Sequence, residues 1–274
     1  MPDSSASPTA DSGGRLDAEL VRRGLVRSRA LAVLAISEGR VTVDGRSASK
    51  PAQQIAAEAV VTLTGEDAYV SRAAGKLAAA LDAFAIEVSG RLVLDVGAST
   101  GGFTQVLLER GAREVIALDV GHDQLVPALR DDPRVRVVEG VNARSLTPAQ
   151  LATEAGTGEV PSFAVADVSF IALPMILPAM RSTLGAGCEA VVLVKPQFEV
   201  GRTGIREGVV RDRAARHDAL MNVLWAAWDV GWGTAGVISS PVVGGSGNQE
   251  YLVWLSGPAG RNPTEWGEAV SALV

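Results

Sequence analysis

The sequence predicts an α/β protein with a mostly parallel, seven-stranded sheet, preceded by a small α+β module. Short apolar runs alternate with helical patterns through most of the chain, which is typical of a parallel sheet covered by helices on both faces. The first of these runs ends in a glycine-rich turn that opens a helix. Before it, a short basic region has its own order of elements and indicates a separate domain.

Composition limits the functional classes. The chain has 274 residues, 47% hydrophobic and 20% charged, which is enough for one large domain and a small one. A net charge of −6 argues against nucleic-acid binding over the whole surface. The single cysteine and two histidines argue against a disulfide and against a Cys or His metal cluster. The sequence has neither an apolar run long enough to span a membrane nor a signal peptide. We therefore expect a cytoplasmic protein that does not enter a membrane.

The N-terminal region has two parts. Residues 1–14 are rich in Ser, Pro, Ala, Asp and Gly without periodicity, and we expect a disordered tail. Residues 15–64 have the pattern helix, helix, hairpin. The signals are the helical spacing of Leu16, Leu20 and Val21, glycines that end helices at 24 and 39, a cap at Ser28, a helix at 29–38, and a strand at 41–43 before an Asp-Gly turn.

The charge of this module differs from that of the chain. Between Arg15 and Lys50 there are eight basic and four acidic residues, a balance of +4 in a protein of −6. A basic face on an acidic protein predicts a polyanion partner, RNA or DNA, that meets one face only. The alternative is a charged helix face that is simply solvated.

Residues 65–71 are expected to form a linker, and residues 72–274 the main domain. A helix over 72–84 opens this domain, and a long helix over 212–230 precedes its last two strands. We expect the final strand to be antiparallel, because the loop before it is too short for a crossover helix. The predicted strands are 91–96, 114–119, 135–139, 162–167, 189–195, 234–240 and 250–256.

The turn after the first strand of the main domain is a candidate ligand site. Asp95 begins a D-x-G-x-x-x-G-G spacing, which differs from the G-x-G-x-x-G dinucleotide fingerprint. Asp119 ends the next strand, where nucleotide-binding α/β folds place an acid that binds ribose hydroxyls. A turn without a ligand is the alternative, but the pairing of the glycines with Asp119 favours a ligand site.

Charged residues stand at three further strand ends. Asp167 and Lys195 each follow an apolar strand, Glu250 opens the last strand, and Lys76 lies on the helix before the first. Each alone could be a solvated charge, but the set at one edge of the sheet favours a site. Only three of the 25 basic residues are lysines, so a lysine here indicates a position where arginine would fail.

The N-terminal module resembles the S4-type RNA-binding domain. The resemblance is carried by Arg15–Asp17, Gly24–Arg29 and Gly39–Gly45. It implies RNA contacts from basic side chains of this module. These are Arg15, Arg29 and Lys50, with Arg22, Arg23 and Arg27 in support.

Nearly everything after residue 14 resembles the TlyA family of rRNA 2′-O-methyltransferases, once labelled haemolysins, whose catalytic half is similar to FtsJ methyltransferases. The segments that carry the resemblance are Tyr69–Leu77, Asp95–Phe103, Asp119–Gly121, Asn142–Arg144, Asp167–Ile171, Lys195–Gly201 and Gly247–Tyr251. It implies a Rossmann-like class I methyltransferase fold. It also implies a Lys-Asp-Lys-Glu tetrad, which maps onto Lys76, Asp167, Lys195 and Glu250.

The same resemblance implies S-adenosylmethionine as cofactor, no metal, and a cytidine of 16S or 23S rRNA in ribosomal subunits as substrate. We expect a monomer. The implied cofactor residues are Asp95, Gly97, Ala98, Ser99, Thr100, Gly101, Gly102, Asp119, Val120, Asn142, Asp167 and Phe170. Phe170 is expected to pack against the cofactor or a flipped nucleotide. His122 and Asp123 depart from the family pattern at the rim of the cofactor pocket.

The chemistry fits these residue types. A ribose hydroxyl is a weak nucleophile that must be aligned and must lose its proton during methyl transfer. Lys195 is the expected base, because an amine accepts a proton once its neighbours favour the uncharged form. Lys76 would supply such a neighbouring charge and hold the hydroxyl or a phosphate. Asp167 and Glu250 would orient the two lysines.

Other functions fit the sequence less well. A pore-forming haemolysin needs membrane-inserting segments, which the sequence does not offer. A non-catalytic RNA chaperone has no need for the lysines and Glu250. A pseudouridine synthase with an S4 domain would lack the glycine turn and Asp119. A small-molecule methyltransferase would not need the N-terminal module.

Overall fold

The computed structural model describes residues 13–26, 29–37, 39–63, 69–185, 187–201, 208–244 and 247–274. The chain divides into two compact units, residues 1–68 and 69–274. Several predictions lie outside the described residues. These are most of the expected tail, the cap at Ser28, the RNA contact at Arg27 and most of the linker.

The N-terminal unit has the predicted order of two helices and a hairpin. Its elements are α1 (Leu16–Arg22), α2 (Arg29–Ser37), β1 (Val41–Val43), β2 (Arg46–Ser47) and β3 (Val61–Leu63). The strands form an antiparallel sheet in the order β2-β1-β3, whose third strand was not predicted. Asp44 and Gly45 both have positive φ, +51° and +76°, as a two-residue Asp-Gly hairpin turn requires. Gly14, expected in the tail, belongs to this unit, because its carbonyl accepts a hydrogen bond from the Ile55 N–H.

Arg23 holds α1 to the segment before β3. Its Nε donates to the buried Glu19 carboxylate at 3.0 Å. Its Nη1 donates to the Ala59 carbonyl at 2.6 Å, and its Nη2 to the Ala57 carbonyl at 2.9 Å. Only 19% of the Arg23 side chain is exposed. The donors of Arg23 are therefore used inside the unit, which argues against its predicted contact with RNA.

We expect Arg23→Ala to destabilise the N-terminal unit by about 1.5–3 kcal/mol, because a hydrogen-bonded charge is removed and its acceptors are left unpaired. Urea unfolding with amide exchange of residues 56–59 measures the effect. Arg46→Ala removes an exposed arginine of the same unit and is the matched control. Equal effects of the two substitutions would show that Arg23 has no structural role.

The larger unit contains the predicted seven-stranded sheet. Its strands are β4 (Leu92–Val96), β5 (Glu114–Asp119), β6 (Val135–Glu139), β7 (Phe163–Ala166), β8 (Glu189–Val194), β9 (Gly233–Ser239) and β10 (Tyr251–Ser256). Their order is β6-β5-β4-β7-β8-β10-β9. The pairs from β6 to β8 are parallel, and β10 is antiparallel to both of its neighbours. The prediction of a mostly parallel sheet with an antiparallel last strand is confirmed.

Helices cover both faces of this sheet. They are α3 (Ala73–Phe84), α4 (Gly102–Glu109), α5 (Pro127–Arg130), α6 (Pro148–Ala155), α7 (Leu177–Ser182), α8 (Pro196–Glu199), α9 (Arg213–Asp229) and α10 (Gly267–Leu273). Two cores result because strand side chains alternate between faces: Leu94 packs in the core with α9, and Val93 in the core with α3. Every residue of β4 is buried, as expected for a central parallel strand.

One edge of the sheet brings the predicted site residues together. Tyr251 at the start of β10 pairs with Val194 at the end of β8. Since the two strands run in opposite directions, the next pair along is Glu250 and Lys195. The carboxyl ends of the parallel strands lie at this edge, where open α/β sheets bind their ligands. Within the described ranges, no helix is long and apolar enough to cross a membrane.

Candidate active site

The turn after β4 lies so close to its surroundings that two positions require glycine. Gly97 has φ +83°, and a Cβ there would lie 2.6 Å from the Asp167 carbonyl oxygen. Gly101 has φ +101°, and a Cβ there would collide with the Leu129 side chain. The backbone of the turn therefore packs directly against the loop after β7, which carries Asp167.

Asp119 fixes this turn from the end of β5. Its Oδ2 accepts a hydrogen bond from the Ser99 N–H at 2.8 Å, and its Oδ1 accepts one from the Gly121 N–H at 2.7 Å. Ser99 has φ +48°, an uncommon conformation for a residue with a side chain. A carboxylate has about four acceptor positions, so Asp119 keeps capacity for further donors such as ribose hydroxyls.

Two adjoining cavities of about 450 and 290 Å³ lie over the turn and share Gly97, Ser99, Asp167 and Ser169. The predicted residues that line the larger cavity are Asp119, Val120, Asn142 and Phe170. Those that line the smaller one are Ala98, Thr100, Gly102, Lys76 and Lys195. The larger cavity has the acceptors and apolar surface that a nucleoside needs, and the smaller one carries the ammonium groups.

Two predicted cofactor residues line neither cavity. Gly101 packs against leucine side chains behind the turn. Asp95 is fully buried, and its Oδ2 accepts a hydrogen bond from the Thr104 hydroxyl at 2.6 Å. Asp95, which was expected to contact the cofactor, therefore supports the site indirectly. Its carboxyl holds the first turn of α4 through Thr104. Burial raises the pKa of Asp95 to about 7, and none of the described residues forms a hydrogen bond with its Oδ1.

Lys76 and Glu250 form a buried ion pair. Lys76 lies on α3, and its Nζ atom is 2.5 Å from Oε2 of Glu250, the residue before β10. The two side chains are only 10% and 3% exposed. Because both charged groups are removed from water, each is stabilised by the opposite charge of the other. Loss of either partner would leave an uncompensated buried charge.

Lys195 and Asp167 form the second pair. The Lys195 Nζ lies 2.6 Å from Asp167 Oδ1 and donates a hydrogen bond to the Ser169 hydroxyl at 2.9 Å. The predicted tetrad is thus two lysine–carboxylate pairs contributed by different elements. Within the described ranges, no three His, Cys, Asp or Glu side chains are grouped so as to hold a metal ion.

Phe170 stands at the rim of the larger cavity. It is 92% exposed and has φ +65°, a conformation that is strained for an aromatic residue. Its ring contacts Phe198, with 5.3 Å between the ring centroids. An exposed ring in a strained conformation is typical of a contact surface for a ligand, since burial does not account for it.

Comparison with known proteins identifies the family to which this chain belongs. Residues 69–257 match the FtsJ-like methyltransferase family, and residues 14–61 match the S4 domain. A 16S/23S rRNA (cytidine-2′-O)-methyltransferase TlyA from Mycobacterium tuberculosis is 50% identical, over 88% of this chain and 89% of the relative. The chain belongs to the TlyA family of FtsJ-like methyltransferases.

Two further relatives carry a hemolysin name. Hemolysin A of Brachyspira hyodysenteriae is 39% identical, over 87% of this chain and 98% of the relative. A solved structure from Streptococcus thermophilus is 40% identical, with a TM-score of 0.74 over 95% of both chains. The family resemblance predicted from the sequence is confirmed, and the protein is a methyltransferase with an N-terminal S4 domain.

The S4 domain of this TlyA protein pairs most of its predicted RNA contacts with buried acids. Arg15 donates to both oxygens of Asp17, and Arg29 donates to Asp17 Oδ2 at 2.9 Å. Arg22 donates to Glu19 at 2.7 Å. These hydrogen bonds lower the pKa of both carboxyls. The largest cause is the hydrogen bond from Arg15 for Asp17 and the one from Arg22 for Glu19. Lys50 is exposed.

Several residues that shape this TlyA site were not predicted. Ser169 and Phe198 lie in segments that carry the family resemblance, but the resemblance implies no contact for either. A Cβ at Gly244 would lie 2.5 Å from Glu250 Oε1, so a side chain there would displace the Glu250 carboxylate. The buried Asn248 accepts a hydrogen bond from the Val210 N–H and donates one to the Gly208 carbonyl, which fixes the segment before Glu250. No local sequence signal reveals these contacts across the fold.

We expect the stability of the larger unit to depend on pH through Asp95. The folded state holds a proton on Asp95 up to about pH 7, whereas the unfolded state releases it near pH 3.8, so this group lowers stability as pH rises between those values. Asp95→Asn keeps an acceptor for Thr104 and cannot ionise. Thermal melting from pH 4 to 8 should show wild type losing Tm relative to Asp95→Asn. Parallel curves would contradict the raised pKa.

Proposed function

We propose that the protein transfers a methyl group from S-adenosylmethionine to the ribose 2′-hydroxyl of a cytidine in 16S or 23S rRNA. The observation that carries the proposal is the pair of lysine–carboxylate contacts beside the glycine turn. They place ammonium and carboxylate groups where a nucleoside-sized cavity opens onto a second, charged cavity. An rRNA substrate implies action in the cytoplasm, and one chain contains the whole tetrad.

The residues of the larger cavity fit S-adenosylmethionine. Asp119 retains acceptor capacity for the two ribose hydroxyls, and Val120 and Asn142 offer apolar and polar contacts for the base. Glycine at position 97 lets the backbone of the turn lie against the Asp167 carbonyl, because a side chain there would collide with it. When bound, the cofactor supplies a methyl group on a sulfonium, which is electrophilic without help from a metal.

Lys195 is the group that accepts the proton of the 2′-hydroxyl. In its uncharged form the amine has a lone pair, and Ser169 and Asp167 fix its position. After proton transfer, the new ammonium lies 2.6 Å from the Asp167 carboxylate, which stabilises it. A base held in place in this way removes the proton as the oxygen–carbon bond forms.

Lys76 has a different role, because Glu250 already compensates its charge. This pairing weakens the idea that Lys76 acts on Lys195 by like-charge repulsion. Lys76 lines the same cavity as Lys195 and can donate a hydrogen bond to the 2′-oxygen or to a neighbouring phosphate. We assign it to orientation of the ribose, with Glu250 fixing the ammonium.

The S4 domain and Phe170 supply the remaining RNA contacts. Arg15, Arg22 and Arg29 present exposed guanidinium groups at fixed positions, which suits phosphates and stacked bases. Phe170 offers an exposed ring on which the base of an extruded cytidine can stack. Lys50 is a further proposed contact, with Arg27 in support.

The experiment that tests the function is mass mapping of 16S and 23S rRNA after incubation with the protein and the methyl donor. Separate reactions with small and large ribosomal subunits identify the substrate. We expect 2′-O-methylcytidine in at least one subunit. Methylation of a base, or no incorporation into either subunit, would overturn the proposal.

We expect Lys195→Arg to fold and to bind cofactor and RNA, yet to methylate about 10²–10⁴-fold more slowly in single turnover, because arginine stays protonated and cannot act as base. Arg113→Lys is the matched exchange, at an exposed pair with Glu159. A near-normal rate for Lys195→Arg would show that Lys195 supplies only a positive charge.

We expect Asp119→Ala to weaken binding of S-adenosylmethionine by at least about 10-fold, because hydrogen bonds to a charged group are lost. RNA affinity should change much less. Calorimetry measures the first and filter binding the second. Glu154→Ala removes an exposed acid on α6 and is the control. Unchanged cofactor affinity would place the ribose elsewhere.

A further inference from the structure

Glu199 is a carboxyl group at the end of α8 to which no family role was assigned above. Its Oε1 accepts a hydrogen bond from the Leu173 N–H at 3.0 Å. Its Oε2 is buried and has no hydrogen-bond partner among the residues that the structure describes. Burial raises the pKa of Glu199 to about 7. Within those residues no basic side chain pairs with Glu199, and removing such an acid from water is costly, so its position calls for a reason.

The partner of Glu199 lies at the far end of the loop that carries the active-site groups. This loop leaves β7 at Asp167, passes through Ser169 and Phe170, and ends where Leu173 begins a 3-10 turn. Phe170 is strained and almost fully exposed, so burial cannot hold it in place. Its conformation therefore depends on how the rest of the loop is fixed.

Three residues of one short segment contact this loop along its length. Lys195 contacts Asp167 and Ser169 near the start of the loop. Phe198 contacts the Phe170 ring in the middle, and Glu199 binds the Leu173 N–H at the end. The segment 195–199 thus joins the proposed base to the exposed ring through one rigid turn.

We propose that Glu199 is a positioning residue that fixes Phe170 where the target nucleotide is received. The inference rests on the proposed function and extends it, since it names the residue that fixes the ring on which the base of the target nucleotide stacks. Glu199 acts through the loop backbone and does not itself touch the reacting atoms. Glutamine can keep the acceptor oxygen for Leu173, whereas leucine of similar size removes it.

The test uses the full-length protein and the variants Glu199→Leu, Glu199→Gln, Phe170→Ala and the double variant Glu199→Leu with Phe170→Ala. Stacking of one base on an aromatic ring corresponds to roughly 5- to 150-fold in affinity. We expect Glu199→Leu to raise KM for rRNA within that range, with cofactor Kd unchanged. Glu199→Gln should restore KM to near the wild-type value.

The double variant separates positioning from general destabilisation. If Glu199 acts through Phe170, adding Glu199→Leu to Phe170→Ala has no further effect on KM. Additive losses, a wild-type KM for Glu199→Leu, or equal damage from Glu199→Gln would each overturn the proposal.

A second readout does not depend on catalysis. Amide exchange of residues 170–173 should accelerate in Glu199→Leu and stay at the wild-type rate in Glu199→Gln. If wild type fails to methylate rRNA, the proposed function is wrong, and the exchange measurement still decides whether Glu199 fixes the loop. Unchanged exchange in Glu199→Leu would overturn the positioning role.

Discussion

The antiparallel pairing of β10 with β8 is the interaction on which the active site depends. The register Tyr251–Val194 sets Glu250 beside Lys195 at the edge where the parallel strands end. A shift of one residue would turn Glu250 to the opposite face of the sheet, toward the α9 core, and away from α3. The ion pair with Lys76 therefore requires both this register and the packing of α3 against the sheet.

The buried ionisable side chains near the site occur in two kinds of surroundings. Lys76 and Lys195 each face a carboxylate from another element, which offsets the cost of removing them from water. In the described part of the chain no basic side chain pairs with Asp95 or Glu199, and burial raises the pKa of both. Each of these acids binds a group that shapes the site, the Thr104 hydroxyl or the Leu173 N–H. Buried acids with a raised pKa therefore fix a turn and a loop in this protein.

The sequence predicts the strands and the site edge because both depend on local patterns. The predicted bounds of every strand of the large sheet agree with the structure to within one residue at each end. The family resemblance mapped the tetrad, but not which lysine pairs with which carboxylate, because strand register and helix packing decide that. The burial of Asp95, the strain at Phe170 and the internal role of Arg23 likewise arise from contacts distant in sequence.

The S4 domain shows why net charge alone is an incomplete measure of an RNA surface. The charge balance from residue 15 to residue 50 is +4, yet four of its arginines share two buried carboxylates. These arginines are Arg15, Arg22, Arg23 and Arg29. Three of these arginines remain about half exposed, whereas Arg23 does not. Pairing reduces their net charge but fixes the direction of each guanidinium, so less side-chain freedom is lost on binding. Such a surface suits recognition of a defined RNA shape more than general attraction to polyanions.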